Sequence, residues 1–595
     1  MNFPVIRGRK IEKAFLYPLL LLVAVLLVYA MSLKSGFVWD DSGLIAAKAP
    51  FFGNLKNIGK IIASPDAPLG ARTSYYRPIN TLSYMLDYHL WGLNPLWYHL
   101  EDVLLHALAV ILFYLVVARA FGDKALAFIS ALLFAVYPVN AEAVNFISSR
   151  NALLCAVFMM GSLLFLLKGR PMSVALSLVF YFLALMSKEQ AVVLPLFILG
   201  LSLTGFAGAG RKGGLLRALM LFFAVTAAYF LIRRLLLGVF TSEGGFGLRV
   251  KLQVMASAIF EDFRLMIFPF KLNAFYSLSE RMFAAYKALL AVAGLAIVLF
   301  LSCWRRAAWP VRAGAQWIFW GLIPISNIVL ISSGPIAERY LYPVLFGFTL
   351  VLGHLLTALY RNKKAAGLAV IVLLTLALGL RSFEQNFIWR DNLSLFTSMA
   401  RSNPQSARVH CYLGLAYARL GRLDDAIGEF QKSIAITPRF GMARLSLGVA
   451  LMNAKRPQEA EGQLKAAVEI EPGSLDANMA LARLYMTEGR LEEALSGFIY
   501  ALRLDPSNAE AYSDIGAICL ETGRTEDALQ AYARLVSLTP YDAMAHNNLG
   551  VALASANRLD DAIGQFEAAL RIDPALADAQ RNLDFAVARE RKNGR

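Results

Sequence analysis

The sequence predicts an all-α protein in which a multi-spanning membrane helical domain is followed by an α-solenoid of helical repeats. Three observations predict this fold class. The chain has 595 residues, of which 58% are hydrophobic, above the roughly 45–50% apolar content of soluble domains, and its mean hydropathy is +0.53. Eleven apolar stretches precede residue 385. Beyond them, prolines recur at intervals of 34 residues.

The first apolar stretch, residues 15–31, is 17 residues long and follows a basic amino terminus. Its length exceeds the about 7–15-residue core of a cleaved signal peptide and meets the roughly 17–25 residues that cross a bilayer. We therefore expect a spanning helix. The other predicted spans are residues 99–118, 124–138, 152–168, 172–187, 190–206, 215–237, 284–303, 314–332, 339–360 and 365–382. Residues 260–270 are compatible with a re-entrant or interfacial helix.

The loops that join these stretches alternate between a basic kind and an acid-containing kind. Basic loops stay in the cytoplasm, so the alternation predicts a cytoplasmic amino terminus and places every acidic motif on the opposite face. Eleven crossings put the carboxyl-terminal repeats on that same face, the periplasm of a bacterial inner membrane or the lumen of the endoplasmic reticulum. The basic loop residues are Arg7, Arg9, Lys10, Lys13, Arg119, Lys124, Lys168, Arg170, Arg211, Lys212, Arg217, Arg305, Arg306, Arg312, Arg361, Lys363 and Lys364.

The net charge of +16 does not indicate a nucleic-acid partner. From residue 405 onward there are 21 Lys plus Arg against 25 Asp plus Glu, a net charge of −4, so the membrane half carries +20. Cytoplasmic-loop cations that set orientation and face anionic membrane lipids explain this excess.

The carboxyl-terminal region shows a strict 34-residue period. Each period places a small residue ten positions after the proline, an alanine twelve positions later, and a large side chain four positions after that. The prolines are Pro404, Pro438, Pro472, Pro506, Pro540 and Pro574; the small residues are Gly414, Gly448, Ala482, Gly516 and Gly550; the alanines are Ala426, Ala460, Ala494, Ala528 and Ala562; the large residues are Phe430, Leu464, Phe498, Tyr532 and Phe566.

This pattern resembles the tetratricopeptide repeat, in which small residues let two antiparallel helices approach. We predict a membrane domain at residues 1–384, a connecting helix or linker at 385–404, five repeats at 405–574, and a capping helix and tail at 575–595. Such a solenoid offers a surface for an acceptor polypeptide. A rigid spacer or a contact between copies of the chain is the alternative.

Seven motifs follow one another along the predicted outer face. They are Phe37-Val-Trp-Asp-Asp41, Tyr76-Arg-Pro-Ile-Asn80, His99 with His106, Tyr137-Pro-Val-Asn-Ala-Glu-Ala-Val-Asn145 with Arg150, Leu185-Met-Ser-Lys-Glu189, Pro324-Ile-Ser-Asn327 and Ala337-Glu-Arg-Tyr-Leu-Tyr-Pro343. In their order these motifs resemble the transmembrane-and-tetratricopeptide-repeat O-mannosyltransferases of the GT-C glycosyltransferase superfamily. The resemblance covers nearly the whole chain, although the repeat array is shorter than in many members of that family.

The resemblance implies that a sugar, mannose or another hexose, moves from a polyprenyl- or dolichyl-phosphate carrier to Ser or Thr hydroxyls of an acceptor protein, with inversion. Two alternatives stay open. The acceptor is a lipid-linked or cell-envelope glycan in one, and in the other the chain is a membrane-tethered repeat scaffold without catalysis.

A carboxylate that takes the proton of an acceptor hydroxyl contributes about 10²–10⁴-fold to such a reaction. Asp40 and Asp41 follow the first span closely, so one of them is the candidate base, with Asp41 slightly preferred. The alternative for this pair is a solvated acidic turn with a helix cap.

The leaving lipid phosphate needs cations, and the guanidinium group holds phosphate through two hydrogen bonds. Arg77, Arg150, Lys188 and Arg339 lie on the predicted outer face, where the positive-inside rule does not explain them. Acidic residues near them, and Tyr340, are candidates for pairing with these cations or for binding the sugar. The acidic residues are Glu142, Glu189 and Glu338. Structural ion pairs at helix ends are the alternative.

Two further features are ambiguous in the sequence. Residues 78–91 can form an interfacial amphipathic helix that shapes a prenyl groove or serves as an anchor. His99, Glu101, Asp102 and His106 at helical spacing suggest a metal, although a polar cluster at a helix end explains them better. A divalent metal is thus possible, but the sequence does not require one.

Overall fold

The structure, a computed structural model, describes residues 8–63, 75–204, 212–237, 248–276, 285–326 and 336–593. Every regular element within these ranges is a helix, as predicted. The chain divides into two compact units, Met1–Asn403 and Pro404–Arg595.

The first unit contains nineteen α-helices within the described ranges, joined by short 3₁₀ turns. They are α1 (Gly8–Tyr29), α2 (Asp40–Leu44), α3 (Ala49–Phe52), α4 (Ile58–Ala63), α5 (Pro78–Trp91), α6 (Pro95–Phe121), α7 (Lys124–Ala135), α8 (Ala141–Asn145), α9 (Arg150–Leu166), α10 (Pro171–Ser187), α11 (Val193–Leu203), α12 (Lys212–Leu237), α13 (Leu248–Ile267), α14 (Ala285–Cys303), α15 (Trp309–Leu322), α16 (Glu338–Leu341), α17 (Leu345–Asn362), α18 (Lys364–Ile388) and α19 (Asn392–Ser402).

Each predicted span has a corresponding helix, but only some of these helices are long and apolar enough to cross a membrane. Six helical segments of the described residues pass by length and composition, and a bent pair raises the number to seven. The six are Phe15–Lys34, Pro95–Phe121, Ile147–Leu166, Leu216–Leu237, Ala285–Cys303 and Lys364–Ile388. The helices α10, α11, α15 and α17 do not meet this criterion of length and composition. The number of eleven membrane crossings therefore stays a prediction. Parts of the predicted spans 190–206, 284–303 and 314–332, and Asn327, lie outside the described residues.

The bent pair shows how the sequence brings a polar group into the bundle. Helix α7 ends at Ala135, and Pro138 cannot continue it because proline has no N–H to donate. The chain then forms a 3₁₀ turn, Pro138–Asn140, and the short helix α8, so that residues 138–145 bend by 52° from α7. The bend carries Glu142 into a fully buried position.

The segment predicted to connect the two domains, residues 385–404, packs within the first unit. Helix α18 continues to Ile388, and α19 follows after a short turn. Leu395, Phe396 and Met399 of α19 are buried. The Asn392 side chain accepts a hydrogen bond of 2.8 Å from the backbone N–H of Trp39. This segment therefore supports the turn that carries Asp40 and Asp41.

The second unit consists of five helical hairpins and a last helix. The hairpin helices are α20 (Ala407–Arg419), α21 (Leu423–Ile436), α22 (Gly441–Asn453), α23 (Pro457–Ile470), α24 (Leu475–Thr487), α25 (Leu491–Leu504), α26 (Ala509–Glu521), α27 (Thr525–Leu538), α28 (Ala543–Ser555) and α29 (Leu559–Ile572), and the last is α30 (Ala577–Asn593). Each hairpin corresponds to one 34-residue period. Helix α30 packs on α29, where the sequence predicts a cap.

The repeated small and large residues meet inside each hairpin, as the pattern predicts. All five alanines of the pattern have no exposed surface. A Cβ atom added to Gly550 would lie 2.6 Å from the ring of Phe566, and one added to Gly516 would lie 2.6 Å from Tyr532. Close helix contact therefore leaves no room for a side chain at Gly516 and Gly550.

Replacing Gly550 by Ala is expected to destabilise the repeat unit by about 1–3 kcal/mol, because the new methyl group overpacks against Phe566. Gly564, which also lies in a helix but has no atom within 4 Å of an added Cβ, is the matched control. There Ala should stabilise the helix by about 0.5–1 kcal/mol. Thermal unfolding of both variants measures the difference. Equal shifts for the two variants would contradict this account of the repeat packing.

Candidate active site

The structure gathers eight of the ten predicted site residues at one end of the membrane unit. They come from separate parts of the chain: the first residue of α2, the residue before α5, the bend at α8, the α10–α11 junction and α16. We call this group the charged cluster; its members are Asp40, Arg77, Glu142, Lys188, Glu189, Glu338, Arg339 and Tyr340. Asp41 and Arg150 are both fully buried and serve other contacts.

The two adjacent aspartates have different surroundings. Asp41 is fully buried. Its Oδ2 accepts from the Val38 N–H at 3.1 Å, and its Oδ1 accepts from the N–H and hydroxyl of Ser148 at 2.8 and 2.5 Å. Burial raises the pKa of Asp41 to about 7, although these hydrogen bonds oppose the rise. Asp41 therefore ties the loop before α2 to the turn before α9.

Asp40, in contrast, is exposed. The protein packed around its inner side raises the pKa of Asp40, and the positive charge of Arg339 opposes that rise. A carboxylate that reaches the surface beside a cation can approach an external hydroxyl. Of the two aspartates, Asp40 is the one that an external hydroxyl can reach, whereas the sequence slightly favours Asp41; a base among them stays a prediction.

A strained turn separates the two aspartates from the first span. Trp39 has φ 51° and ψ −117°, a combination that L-residues rarely adopt and that is found where surrounding contacts enforce it. Here the indole ring stacks on Phe146 at 5.7 Å between centroids, and the backbone N–H donates to Asn392. The enforced turn lets Asp40 and Asp41 begin α2 with one side chain exposed and the other buried.

Arg339 lies between the aspartate turn and two buried glutamates. Its backbone N–H donates to Glu142 at 2.9 Å, and its guanidinium pairs with the same carboxylate. Glu338 accepts from the Asn273 N–H at 2.6 Å and from the Tyr276 hydroxyl at 2.9 Å. Burial and the nearby Glu142 raise the pKa of Glu338 to about 8. Glu142 thus fixes the position of Arg339, whose side chain keeps 24% exposure.

Arg77 and Lys188 form the other side of the charged cluster. Arg77 binds Glu189 through two hydrogen bonds of 3.1 and 2.6 Å. Lys188 is 3% exposed, and its Nζ makes no hydrogen bond with any residue that the structure describes. Instead it lies 5.3 Å from the ring centroid of Tyr340. Burial, together with the positive charges of Arg77 and Arg339, lowers the pKa of Lys188 to about 7. A buried ammonium without a hydrogen-bond partner is suited to an anion.

Arg150 is not part of this group. Its guanidinium is fully buried and donates to Asp102 and Asp87 at 2.6 Å each, and to Glu101 at 3.2 Å. It also donates to the Tyr98 carbonyl at 3.1 Å. Because these contacts occupy the guanidinium, Arg150 holds α5, α6 and α9 together and presents no free donor to a phosphate.

The histidines suggested by the sequence also have internal partners. His99 donates to the Gly36 carbonyl at 3.3 Å, while His106 contacts the Tyr342 hydroxyl at 2.7 Å and the Ala135 carbonyl at 3.1 Å. Across the described ranges, no three His, Cys, Asp or Glu side chains converge as metal ligands.

Three contributors to the site were not identified from the sequence. Ser148 holds Asp41, Asn392 holds the Trp39 backbone, and the fully buried Trp389 stacks on Phe146 at 5.3 Å between centroids. The sequence holds a weak signal that the segment containing Trp389 and Asn392 is packed. Residues 385–404 contain an aromatic and apolar stripe, which is typical of a packed helix rather than a linker.

Replacing Ser148 by Ala is expected to destabilise the membrane unit by about 1–3 kcal/mol, because a buried carboxylate oxygen loses its hydroxyl donor. Ser149 is the matched control, since its buried hydroxyl makes no hydrogen bond with a described residue. The Ser149→Ala variant should unfold at the wild-type temperature. Thermal unfolding in detergent, monitored by tryptophan fluorescence, compares the two variants, and equal loss in both would contradict the assigned role of Ser148.

Comparison with known proteins agrees with both halves of the chain. Tetratricopeptide repeat models match residues 407–440, 451–498, 479–543 and 520–577. Among solved structures, the protein MamA is 23% identical and covers 29% of this chain and 93% of its own length, with a TM-score of 0.27. YrrB, described as a tetratricopeptide-repeat protein with an unusual peptide-binding site, is 20% identical over 31% of this chain and 96% of its own length, with a TM-score of 0.28.

The relatives of the larger part of the chain are named protein O-mannosyl-transferases. The protein O-mannosyl-transferase F38B6.6 of Caenorhabditis elegans is 25% identical over 71% of this chain and 63% of its own length. The human protein O-mannosyl-transferase TMTC1 is 25% identical over 70% of this chain and 54% of its own length. The mouse protein O-mannosyl-transferase TMTC4 is 26% identical over 68% of this chain and 64% of its own length. The chain thus spans less than two thirds of the length of these relatives. The resemblance to the transmembrane-and-tetratricopeptide-repeat O-mannosyltransferases, which the motifs predict, is confirmed.

Proposed function

We propose that this chain is a GT-C-type membrane glycosyltransferase that moves a mannosyl or other hexosyl residue from a polyprenyl-phosphate carrier to Ser or Thr hydroxyls of proteins. The observation that carries the proposal is the charged cluster. In it an exposed carboxylate, Asp40, lies near Arg339, and Arg339 also neighbours the buried ammonium of Lys188, which makes no hydrogen bond with a described residue. The names of the relatives support the same reaction class.

The reaction follows from the chemistry of these groups. The acceptor hydroxyl oxygen forms a bond to the anomeric carbon while Asp40 takes its proton. The bond from that carbon to the phosphate oxygen breaks, and the electron pair leaves with the lipid phosphate. One displacement of this kind inverts the anomeric configuration.

The leaving phosphate gains negative charge, and cations fixed in advance stabilise that charge most effectively. Lys188 and the accessible edges of Arg77 and Arg339 are our assigned phosphate ligands. Glu142 and Glu189 hold the two arginines in place, and Tyr340 contacts both Lys188 and Arg339. The roles proposed for these residues do not depend on a metal ion.

Orientation is part of the proposal. The positive-inside rule places the charged cluster and the repeats on the periplasmic or lumenal face. There the sugar of a lipid-linked donor lies close to the membrane surface. The second unit then supplies the acceptor polypeptide through the surface of its solenoid.

The proposal is tested with the purified full chain in liposomes that contain radiolabelled polyprenyl-phosphate-mannose, with a Ser- and Thr-containing peptide as acceptor. Transfer to the peptide with an inverted anomeric linkage supports the proposal. Radiolabel found only in lipid-linked glycan would show that the acceptor is a glycan and not a protein. Transfer from a nucleotide sugar in place of the lipid donor would contradict the donor assignment. No transfer to any acceptor would favour the scaffold.

A further inference from the structure

A large, mostly apolar cavity opens between helices of the membrane unit, and none of the charged-cluster residues lines it. Its volume is about 1620 Å³, which exceeds the roughly 300–1,000 Å³ of most small-molecule pockets. Seven helices line it: α6, α9, α10, α11, α12, α15 and α17. Most of the lining side chains are aliphatic or aromatic, and no acidic residue is among them.

The cavity extends along the bundle toward the charged cluster. Its lining includes Phe346, six residues after Tyr340, and Leu178, ten residues before Lys188. Its other end is far from the cluster: Lys168, which lines it, precedes α10, and the 17 residues of that helix span about 25 Å before Lys188. A lipid phosphate bound at that far end therefore lies about one helix length from the charged cluster.

Three cations lie at that far end. Arg119 at the end of α6, Lys168 in the turn after α9 and Arg217 near the start of α12 all line the cavity and are all exposed. None of them forms an ion pair with a residue that the structure describes. The Arg119 Nε donates only a long hydrogen bond of 3.4 Å to the Leu167 carbonyl, and Lys168 lies over the ring of Phe165. A cavity with apolar walls and three cations at one end is suited to a ligand that has an anionic head group and an apolar chain.

We propose that this cavity binds an anionic phospholipid, with its two acyl chains between the helices and its phosphate against Arg119, Lys168 and Arg217. Basic pockets between membrane helices on the cytoplasmic side are known to take anionic lipid head groups. The site is distinct from the proposed donor site, because its cations lie at the opposite end of the helices. It does not depend on the proposed transferase activity.

The test uses the purified full chain, delipidated in detergent and mixed with equal amounts of phosphatidylglycerol and phosphatidylcholine that carry identical acyl chains. Native mass spectrometry counts the lipids retained. We expect phosphatidylglycerol to be retained preferentially. The variant Arg119→Gln/Lys168→Gln/Arg217→Gln should lower this preference by roughly tenfold or more, since each cation near an anionic lipid contributes about fivefold.

The control removes the same number of charges elsewhere: Arg306→Gln/Lys363→Gln/Lys364→Gln. These exposed residues do not line the cavity, and an ion pair of 2.7 Å between Arg361 and Asp123 places residues 361–364 at the Arg119 end of α6. The control should keep the preference of the wild type. An equal loss in both triple variants would show unspecific surface attraction and overturn the proposal, as would equal retention of the two lipids by the wild type.

A second variant tests the acyl-chain part of the site without changing charge. Ala218, buried in the cavity wall, is replaced by Phe, and Val292, 64% exposed on α14, is replaced by Phe as the control. Loss of retained phosphatidylglycerol in Ala218→Phe but not in Val292→Phe supports the proposal, and unchanged retention in both variants would contradict it.

A competition experiment adds one equivalent of polyprenyl phosphate to the lipid-bound wild type. Displacement of the bound phosphatidylglycerol would contradict the proposal, because that result would assign the cavity to the donor.

Discussion

Replacing Asp40 by Asn is expected to slow sugar transfer by about 10²–10⁴-fold, the contribution of a well-placed general base. The amide has the size of the carboxylate but cannot accept the hydroxyl proton. Since Asp40 is exposed and makes no hydrogen bond that the structure records within the described ranges, its loss should leave the fold intact. The expected change lies in kcat, with the donor KM nearly unchanged, measured in the liposome assay.

Two controls make this result specific. Glu384→Gln removes a surface carboxylate of the same unit, which is 63% exposed and pairs with Arg381, and it should retain full activity. Asp41→Asn should have a different effect. The Val38 N–H donates to Oδ2 of Asp41, and in the variant an amide N–H₂ group, which is itself a donor, would face that N–H in a buried position. We expect that variant to lose thermal stability. Full activity of Asp40→Asn, or a loss of stability as large as that of Asp41→Asn, would contradict the assignment.

Replacing Lys188 by Met is expected to lower kcat/KM for the lipid donor by about 10²–10³-fold, the usual cost of removing one group that stabilises charge in the transition state. Methionine fills the same buried space without the ammonium. Because Lys188 makes no ion pair or hydrogen bond with a described residue, its removal should leave the unfolding temperature at or above that of the wild type. Lys364→Met, exposed at the start of α18 and outside both proposed sites, is the control for the donor kinetics.

The protonation of Lys188 is also expected to determine how kcat/KM falls at alkaline pH. The free enzyme needs Lys188 protonated, and burial lowers its pKa to about 7, so kcat/KM should fall as pH rises through about 7. The acidic side rises with ionisation of Asp40, whose pKa is raised by burial. In Lys188→Arg the alkaline limb should disappear, because guanidinium stays charged. An alkaline limb that is unchanged in Lys188→Arg would exclude Lys188 as its source.

The repeats were the part of the fold most accessible to sequence analysis. A period of 34 residues aligns every unit with the next, so contacts such as that between Gly550 and Phe566 can be inferred from one unit and apply to all. Each predicted span has a corresponding helix, but only six helical segments of the described residues, or seven with the bent pair, pass as membrane spans by length and composition. Helix α10 ends at Ser187, where its predicted span ends. Helix α7 ends at Ala135, three residues before the end of its predicted span, because Pro138 cannot continue it.

The charged cluster was predicted as a set, while the role of each member was not. The alternation of basic and acidic loops predicts that the acid-containing motifs share one face, and eight of the ten residues do meet. Adjacent aspartates are indistinguishable by position alone. Their difference depends on Ser148, more than a hundred residues away in sequence. Similarly, Arg150 resembles Arg77 in the sequence, and only the buried partners Asp87 and Asp102 separate their roles.

The most direct test of the central claim compares glycopeptides by mass spectrometry from cells that carry the wild-type chain, Asp40→Asn or Glu384→Gln at equal expression. The account predicts that hexose-bearing Ser and Thr peptides present with the wild type and with Glu384→Gln disappear with Asp40→Asn. A glycopeptide set that is the same in all three strains would contradict protein O-glycosylation by the charged cluster.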